Sequence, residues 1–199
     1  MNNIVEIFHS LQSEGYHAGR SAMFVRFYGC NLKCNFGNGM VCDEPKHVIS
    51  DAITEMSDQD IVDKVKGHFV VITGGEPTLR DLNPLITMMK ENGCYVAVET
   101  NGYKARNISE ADWITWSPKY SFAEDAPTDC ERFDELKVLA GIHNPLYVDK
   151  YPKSKYKYVQ PIADGNHPDP FNTTYCVDFV KANPSWRLSI QFHKYIGLE

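Results

Sequence analysis

The sequence predicts an α/β fold, a shortened and open βα barrel, and three observations indicate it. Short apolar runs rich in β-branched residues recur along the chain, at 23–28, 69–73, 95–99, 113–116, 135–139, 156–161 and 187–191. Several runs are continuous rather than alternating, as parallel strands covered on both faces are, and helical patterns separate some of them. The third observation is length, because a complete eight-fold barrel needs about 250 residues and this chain has 199.

The helical patterns lie at 57–66, 80–92 and 173–182. Ser57 is a suitable N-cap for the first, Gly93 a suitable C-terminal residue for the second, and Pro184 stops the third. The segment 141–154 carries two prolines and a glycine where a crossover helix would otherwise fit. We therefore expect a partial barrel that has lost some of its helices.

Composition and charge exclude several classes of protein. Hydrophobic residues make up 43% and charged residues 23% of the chain, which is typical of a globular domain and excludes disorder, collagen and coiled coils. The net charge of -6 argues against a nucleic-acid partner. Because no stretch of 18 apolar residues and no signal peptide occur, we expect one cytoplasmic domain, 1–199, with no membrane contact.

Polar and small residues follow successive predicted strands at their C-terminal ends, where the chemistry of parallel α/β folds gathers. Cys30 follows the first run, Gly74-Gly75-Glu76 the second, Thr100-Asn101 the third, and Ser117 with Lys119 the fourth. Two adjacent glycines let a ligand approach the backbone closely, and a glutamate can accept hydrogen bonds from an ammonium group. These groups are therefore expected to ring one mouth of the barrel.

Three cysteines, Cys30, Cys34 and Cys42, fall within one loop rich in glycine and asparagine. Three thiolates so close in sequence can converge on one metal centre. An iron–sulfur cluster held by three thiolates keeps one iron open for a ligand; the alternative is a zinc site with His47 as the fourth ligand. We interpret Cys94 and Cys176 as small buried hydrophobic residues. Cys130 also lies apart from the cysteine loop.

The C-x3-C segment, the third cysteine and the strand that ends in Gly-Gly-Glu-Pro resemble the radical S-adenosylmethionine (SAM) superfamily. The resemblance implies a radical SAM type of barrel, a [4Fe–4S] cluster on the three cysteines, and SAM on the open iron. Seven residues separate Cys34 from Cys42, where that superfamily usually has two. Removing 37–41 would restore the pattern, so we interpret the cluster loop, 29–47, as carrying a short insertion.

The two ends of the chain narrow the resemblance. Glu6-Ile7-Phe8, the segment 12–15, Phe24-Val25-Arg26 and the segment 188–197 resemble the 7-carboxy-7-deazaguanine synthase family. That resemblance implies a lyase that contracts 6-carboxy-5,6,7,8-tetrahydropterin to 7-carboxy-7-deazaguanine with loss of ammonia, on the route to queuosine and other 7-deazapurines. It further implies Mg²⁺, a homodimer and an external, flavodoxin-like electron donor.

The resemblance also implies roles for individual residues. Substrate-binding positions are Gln12, Glu14, Gly15, Arg26, Thr73, Glu99 and His193, of which Arg26, Glu99 and His193 are the catalytic candidates. SAM-binding positions are Gly74, Gly75, Glu76, Thr100, Asn101, Ser117, Lys119 and Gln160. The chemistry of the side chains agrees, because arginine clamps a carboxylate in a bidentate manner and glutamine–glutamate pairs can read the polar edge of a pterin.

Two residues depart from the family pattern. Ser13 replaces a glycine in the usual Gln-Gly-Glu-Gly motif, which costs little unless that backbone needs a positive φ. Glu44 follows Cys42-Asp43 where the family has the threonine that supports Mg²⁺. Because a carboxylate is a good ligand for a hard cation, Glu44 can take over this role, and we expect a metal dependence that differs from the family norm.

Three alternatives remain open from the sequence alone. A glycyl-radical-enzyme activase would share the cysteines and the Gly-Gly-Glu motif but would need neither Arg26 and Gln12 nor His193. A non-catalytic zinc-binding interaction module would contain zinc instead of iron and sulfide. A catalytically silent relative with a regulatory binding role is the third.

Overall fold

The computed structural model describes residues 1–37, 39–44, 53–119, 132–147, 151 and 154–198. The strands of this part form one sheet of nine. They are β1 (Asn2–Leu11), β2 (Ser21–Phe27), β3 (Thr54–Met56), β4 (Phe69–Gly74), β5 (Tyr95–Thr100), β6 (Trp113–Trp116), β7 (Glu135–Ala140), β8 (Tyr156–Pro161) and β9 (Arg187–Leu188). The helices are α1 (Asp58–Val65), α2 (Asn83–Glu91), α3 (Pro170–Ala182) and α4 (His193–Ile196), with 3₁₀ turns at Pro77–Leu79 and Ala105–Ile108.

The strand order is β3-β1-β2-β4-β5-β6-β7-β8-β9. Strand β1 is antiparallel to both β2 and β3, and every neighbouring pair from β2 to β9 is parallel. The sheet ends at β3 and β9 instead of closing on itself, so the described chain is an open, partial barrel. The predicted fold class is confirmed.

Alternation along the parallel strands separates an outer core from the interior of the barrel. In β4, Val70 and Ile72 belong to the large apolar cluster that includes Ile86 and Met89 of α2. Val71, between them, belongs to a separate cluster on the inner face of the sheet. Because side chains of a strand point alternately to opposite faces, each strand contributes to the helix layer with one set and to the barrel interior with the other.

Strand β7 follows the same rule but carries charge on its inner face. Leu136 and Val138 are fully buried in a second outer cluster with Cys176 of α3. Glu135 and Lys137, at the alternate positions, are each 2% exposed and point into the barrel. Fully buried charges need partners of opposite charge or hydrogen bonds, so Glu135 and Lys137 must each find such partners inside the barrel.

The loop between β1 and β2 closes the end of the barrel where the parallel strands begin. Tyr16 stacks on Trp113 at 4.7 Å and contacts Tyr156 at 4.6 Å between ring centroids. The guanidinium of Arg20 lies 3.9 Å from the centre of the Phe69 ring. Phe69, Trp113 and Tyr156 are the first residues of their strands, so together they form an aromatic layer that the loop covers.

Most predicted elements are present, and their boundaries shift for local reasons. Ser57 caps α1 with a capping box, and Gly93 follows α2 at φ 79°. Helix α2 begins at Asn83 instead of residue 80, because Pro84 is tolerated only in the first turn. Helix α3 begins earlier than predicted, at Pro170, because Asp169 serves as its N-cap.

Some elements were not predicted, or were predicted too long. Strands β1 and β3 were missed, and β9 ends at Leu188 instead of continuing to residue 191. Cys94 and Cys176 are buried as predicted, whereas Cys130 and His47 lie outside the described residues. The described parts of 141–154 contain no helix, in agreement with the prediction. None of the helices described is both long and apolar enough to cross a membrane.

Gly15 should tolerate no side chain. Its φ of +63° is strained for other residues, and an added Cβ would lie 2.0 Å from Oε1 of the buried Glu135. Gly19, in the same loop, also has a positive φ, +88°, but nothing within 4 Å. We expect Gly19→Ala to lower the free energy of unfolding by about 1 kcal/mol and Gly15→Ala by about 1–3 kcal/mol more. Urea titration measures both; equal losses would contradict the steric argument.

Glu135 should give the fold a distinct pH dependence. Burial raises the pKa of this carboxyl from 4.5 to about 7, although Lys137 opposes the shift. A raised pKa means that the carboxyl stabilises the fold below about pH 4.5 and that this contribution is lost as the pH rises through about 7. Glutamine cannot ionise, so Glu135→Gln should gain about 2 kcal/mol relative to the wild type between pH 5 and pH 8.

The measurement is the free energy of unfolding of both proteins at the two pH values. The exposed Glu91→Gln is the matched control, and its difference from the wild type should stay constant. A Glu135→Gln difference that is equally constant would show that this carboxyl does not titrate in that range.

Candidate active site

A cavity of about 270 Å³ lies at the C-terminal ends of the parallel strands. Most of the predicted site residues line it: Gln12, Glu14, Arg26, Cys30, Cys34, Cys42, Glu44, Thr73, Gly74, Gly75, Glu99, Thr100, Asn101, Ser117, Lys119, Gln160 and His193. Two predicted residues, Gly15 and Glu76, are not part of its wall. The structure therefore gathers into one cavity residues that lie as far apart in sequence as Gln12 and His193.

The described residues on either side of position 38 pair as the stem of a small hairpin. Asn35 and Val41 form an antiparallel bridge, and the amide of Phe36 donates to the carbonyl of Met40 at 2.8 Å. Phe36 is only 7% exposed and anchors the hairpin. Cys34 and Cys42 flank this bridge, so the two ends of the widened spacing stay together.

Burial raises the pKa of all three loop thiols, that of Cys34 to about 11. Thiols in this setting ionise only when a cation stabilises the thiolate, as a bound metal does. Within the described residues, no group of three or more His, Cys, Asp or Glu side chains could hold a single metal ion. An iron–sulfur cluster makes a different demand, because it offers each thiolate a separate iron.

Gly74 sits where the cysteine loop leaves the sheet. It pairs with Phe27 of β2, and a Cβ on Gly74 would lie 2.2 Å from the carbonyl oxygen of Phe27. The amides of the next two residues hold the loop, Gly75 donating to the carbonyl of Phe27 and Glu76 to that of Gly29. Packing against Phe27 therefore requires glycine at position 74, in addition to any need for a ligand to approach the backbone there.

The carboxylate of Glu76 lies behind the cavity wall and is 1% exposed. It accepts hydrogen bonds from Thr78, from the Thr100 hydroxyl at 2.7 Å and from the Asn101 amide at 2.7 Å. Burial nevertheless raises its pKa. In this arrangement Glu76 fixes the loops that follow β4 and β5, and its side chain does not reach into the cavity.

Arg26, on the strand next to β4, lies between two carboxylates in the cavity wall. Its Nε is 2.7 Å from Glu6 on β1, and one terminal nitrogen is 3.2 Å from Glu44 at the end of the cysteine loop. All three side chains are partly exposed. The guanidinium is thus held in place, and a carboxylate ligand that binds Arg26 has to share it with Glu44 or displace that residue.

A buried lysine that the sequence reading missed occupies the floor of the cavity. The Lys137 ammonium is 2.5 Å from a carboxylate oxygen of Glu14 and 2.5 Å from one of Glu99. Gln12 donates to the other oxygen of Glu99 at 3.1 Å. Burial would raise the pKa of Glu14, but the charge and hydrogen bond of Lys137, with a bond from Gln191, hold it well below its usual range.

The C-terminal segment completes the wall beside the cysteine loop. Gln191 donates to Glu14 at 2.8 Å and to Asp43 at 3.1 Å, and Lys194 is 2.6 Å from Asp43. Nδ1 of His193 lies 2.5 Å from the hydroxyl of Ser13. Burial lowers the pKa of His193, which favours the neutral ring.

Among the cavity residues that were not predicted are Asp43, Lys137, Gln191 and Lys194. For Lys137 a signal exists in the sequence. Glu135 and Lys137 alternate with Leu136 and Val138 in an otherwise apolar strand, and two charges on one face of such a strand indicate a polar interior. The other three depend on contacts between distant segments and left no such pattern.

Ser13 fits its position without strain. Among the described residues other than glycine, only Lys104 has a positive φ. The backbone at Ser13 therefore does not need glycine, and the added hydroxyl has a partner in His193.

Comparison with known proteins places the chain. No family model matches it. A 7-carboxy-7-deazaguanine synthase from Bacteroides thetaiotaomicron is 40% identical and covers 100% of this chain and 99% of its own length. One from Burkholderia multivorans is 36% identical, with 98% of each chain covered. The crystal structure of QueE from Escherichia coli superposes with a TM-score of 0.72 at 26% identity, covering 95% of this chain and 93% of that one. The chain belongs to the 7-carboxy-7-deazaguanine synthase family.

Proposed function

We propose that this protein contracts the ring of 6-carboxy-5,6,7,8-tetrahydropterin by radical SAM chemistry, which yields 7-carboxy-7-deazaguanine and ammonia. The single observation that carries the proposal is that one cavity brings together three thiols, a glycine pair, an arginine and a set of buried hydrogen-bonding groups. The thiols and the glycine pair suit a cluster and SAM. The arginine and the buried hydrogen-bonding groups suit a flat heterocycle with a carboxylate.

The residues present fit an iron–sulfur cluster and SAM. Cys30, Cys34 and Cys42 would hold a [4Fe–4S] cluster, and the raised pKa of each thiol is what a metal would reverse. The residues that would hold SAM are Gly74, Gly75, Thr100, Asn101, Ser117, Lys119 and Gln160. When bound, these two groups supply a 5′-deoxyadenosyl radical, which removes hydrogen from the carbon that bears the carboxylate.

Arg26 and the buried acids position the substrate. The guanidinium can clamp the substrate carboxylate, and its contact with Glu6 fixes its direction. Glu14 and Glu99 can accept hydrogen bonds from the nitrogen edge of the ring, which Gln12 can read as well. Holding the reacting C–H in one place beside the radical carbon is the main contribution that a protein can make to such a step.

His193 is the candidate for proton transfer. The Ser13 hydroxyl engages Nδ1, which leaves Nε2 of the neutral ring to exchange a proton with the substrate. The substrate contains the atoms of the product plus those of ammonia, so the reaction consumes no net oxidant. A hydrogen atom removed from the substrate at the start could therefore be returned to it after contraction.

Several further features belong to the same proposal. Residues 1–199 would form a single radical SAM domain, with Gly15 supporting the substrate loop. We infer a homodimer and a flavodoxin-like electron donor. We also infer a cytoplasmic location, because cluster chemistry needs a reducing environment.

The test is an anaerobic assay of the reconstituted protein with SAM, a reductant, Mg²⁺ and 6-carboxytetrahydropterin. Mass spectrometry should detect 7-carboxy-7-deazaguanine. Cleavage of SAM to 5′-deoxyadenosine without that product would support the radical chemistry and argue against this substrate. A glycyl-radical-enzyme activase would give that result. Bound zinc with neither product nor cleavage would favour a zinc-binding interaction module.

Cys42 should be a cluster ligand despite the widened spacing. We expect Cys42→Ser to lose most of its iron and at least about tenfold of its SAM cleavage. A variant that lacks 37–41 should keep its iron, since the hairpin closes on itself between Asn35 and Val41. Iron and sulfide content and the spectrum of the reduced cluster measure both. Cys94→Ser, a buried cysteine outside the loop, is the control; full iron in Cys42→Ser would contradict the assignment.

Glu44 should give this protein its own metal dependence. Its carboxylate can bind Mg²⁺ or Mn²⁺, but a cation has to compete with Arg26, which lies 3.2 Å away. We expect EDTA to lower the activity and either ion to restore it. Glu44→Thr, which installs the family's hydroxyl, should raise the ion concentration needed for half the activity by about tenfold, the effect of losing a charged ligand. Activity unchanged across EDTA, Mg²⁺ and Mn²⁺ titrations would argue against any metal role.

A further inference from the structure

Lys137 is the best-buried charge in contact with the cavity. It lies in the middle of β7 and is 2% exposed. Its ammonium is 2.5 Å from Oε2 of Glu14, in the β1–β2 loop, and 2.5 Å from Oε2 of Glu99, on β5. One cation thus joins two acids from separate parts of the chain, and the three groups together carry one negative charge.

The protein occupies both oxygens of each of these carboxylates. Oε1 of Glu14 accepts from Gln191 at 2.8 Å, and Oε1 of Glu99 accepts from Gln12 at 3.1 Å. Gln160 gives Glu14 a further side-chain hydrogen bond, so each oxygen has at least one protein donor. A carboxylate has about four lone-pair sites, so both groups keep capacity for a bond from a ligand. The two carboxylates are therefore fixed in direction and can only accept further hydrogen bonds from a ligand.

The charges around Lys137 keep it protonated. Glu14 faces it from the loop, Glu99 from β5 and Glu135 from its own strand. Burial would lower the pKa of this lysine, but these acids raise it. Beyond Glu14, Gln191 leads to Asp43, which pairs with Lys194. Asp43 and His193 are further titratable groups close enough to Glu14 to feel its charge.

We propose that Lys137 is a specificity-determining positioning residue, which locks Glu14 and Glu99 as a pair of acceptors and so restricts the cavity to rings that present an N–H donor edge. A 2-amino-4-oxo pyrimidine ring offers adjacent N–H groups at positions 2 and 3. A 2,4-dioxo ring offers an oxygen at position 2, which a fixed carboxylate repels. The inference rests on the proposed function, because it assumes that a pterin ring binds here.

The test compares two unreactive ligands on the reconstituted protein with SAM: pterin-6-carboxylate and its 2-oxo counterpart, lumazine-6-carboxylate. The wild type should prefer the pterin by at least about 100-fold, since sites built for a hydrogen-bond donor reject analogues that lack it. In Lys137→Met the two acids are left without their cation, and one of them should take up a proton. The preference should then fall below about tenfold, and pterin binding should change more between pH 5 and pH 8 than it does in the wild type.

Two variants separate this role from a purely structural one. Lys157→Met, on the helix side of neighbouring β8, makes the same substitution without touching the cavity and should keep the wild-type preference. The double variant Lys137→Met with Glu99→Gln restores the net charge of the group. It should unfold less readily than Lys137→Met, yet it should still fail to discriminate, because the new amide can donate to the 2-oxo group.

The outcomes are distinct. If Lys137→Met keeps the selectivity of the wild type and shows a flat pH profile, the inference is overturned. The proposed function stays intact in that case as long as the wild type forms the product. A double variant that is no more stable than Lys137→Met, or that discriminates as the wild type does, would also overturn it. If the wild type binds neither ring, the proposed function fails, and the inference falls with it.

Discussion

The interior of this barrel depends on one interaction, the pairing of the Lys137 ammonium with the carboxylates of Glu14 and Glu99. An open barrel has no complete ring of helices to hold its strands, and its interior here is polar enough to bind a charged ligand. A lysine buried to this extent is tolerated only with compensating charge, and Glu14 and Glu99 supply it from two other segments. The same contacts that make the charge tolerable therefore fix the β1–β2 loop against β5 and β7, and the cavity floor exists because of them.

From that floor the structure extends in two directions along the barrel axis. Towards the start of the strands, the β1–β2 loop continues into Tyr16, which covers Trp113 and Tyr156. Towards the ends of the strands, Glu14 leads through Gln191 to Asp43. One loop thus closes the bottom of the barrel, provides a substrate-binding candidate and is connected to the cysteine loop through Gln191.

The residues at the C-terminal ends of strands were the most predictable from sequence. Gly74, Thr100 and Ser117 come after strongly apolar runs, and parallel strands deliver such residues to one edge. Their position needs no knowledge of distant contacts. The direction of a side chain is another matter. Glu76 belongs to the same motif, yet its carboxylate turns behind the wall because Thr100 and Asn101 satisfy it there, and nothing in the local sequence indicates that.

Long-range pairs were the least predictable part of the site. Lys137 had a local signal in the alternation of β7, but its partners lie 38 and 123 residues away. Strand β1 was missed because its polar residues, such as Glu6 and His9, mask an apolar run in a strand that pairs on both edges. In both cases the tertiary partner decides, and a reading of one segment at a time cannot supply it.

The departures of this chain from its family pattern are integrated into its packing. The inserted hairpin is held by Phe36, and the sulfur of Met40 lies 3.5 Å from the Asn172 amide. Asn172 in turn donates to the carbonyl of Ile162 and accepts from the amide of Ile142, so it links the hairpin to the loops after β7 and β8.

The end of the cysteine loop is fastened in the same way. Asp43 is fixed by Lys194, whose side chain is 4% exposed, and Glu44 is fixed by Arg26. Because separating such a pair leaves a partly buried charge without its partner, these contacts hold the loop end to β2 and to α4. A longer loop would otherwise cost more entropy to order. The insertion and the acidic residue after Cys42-Asp43 thus act together: the first lengthens the loop, and the second adds a contact that holds it in place.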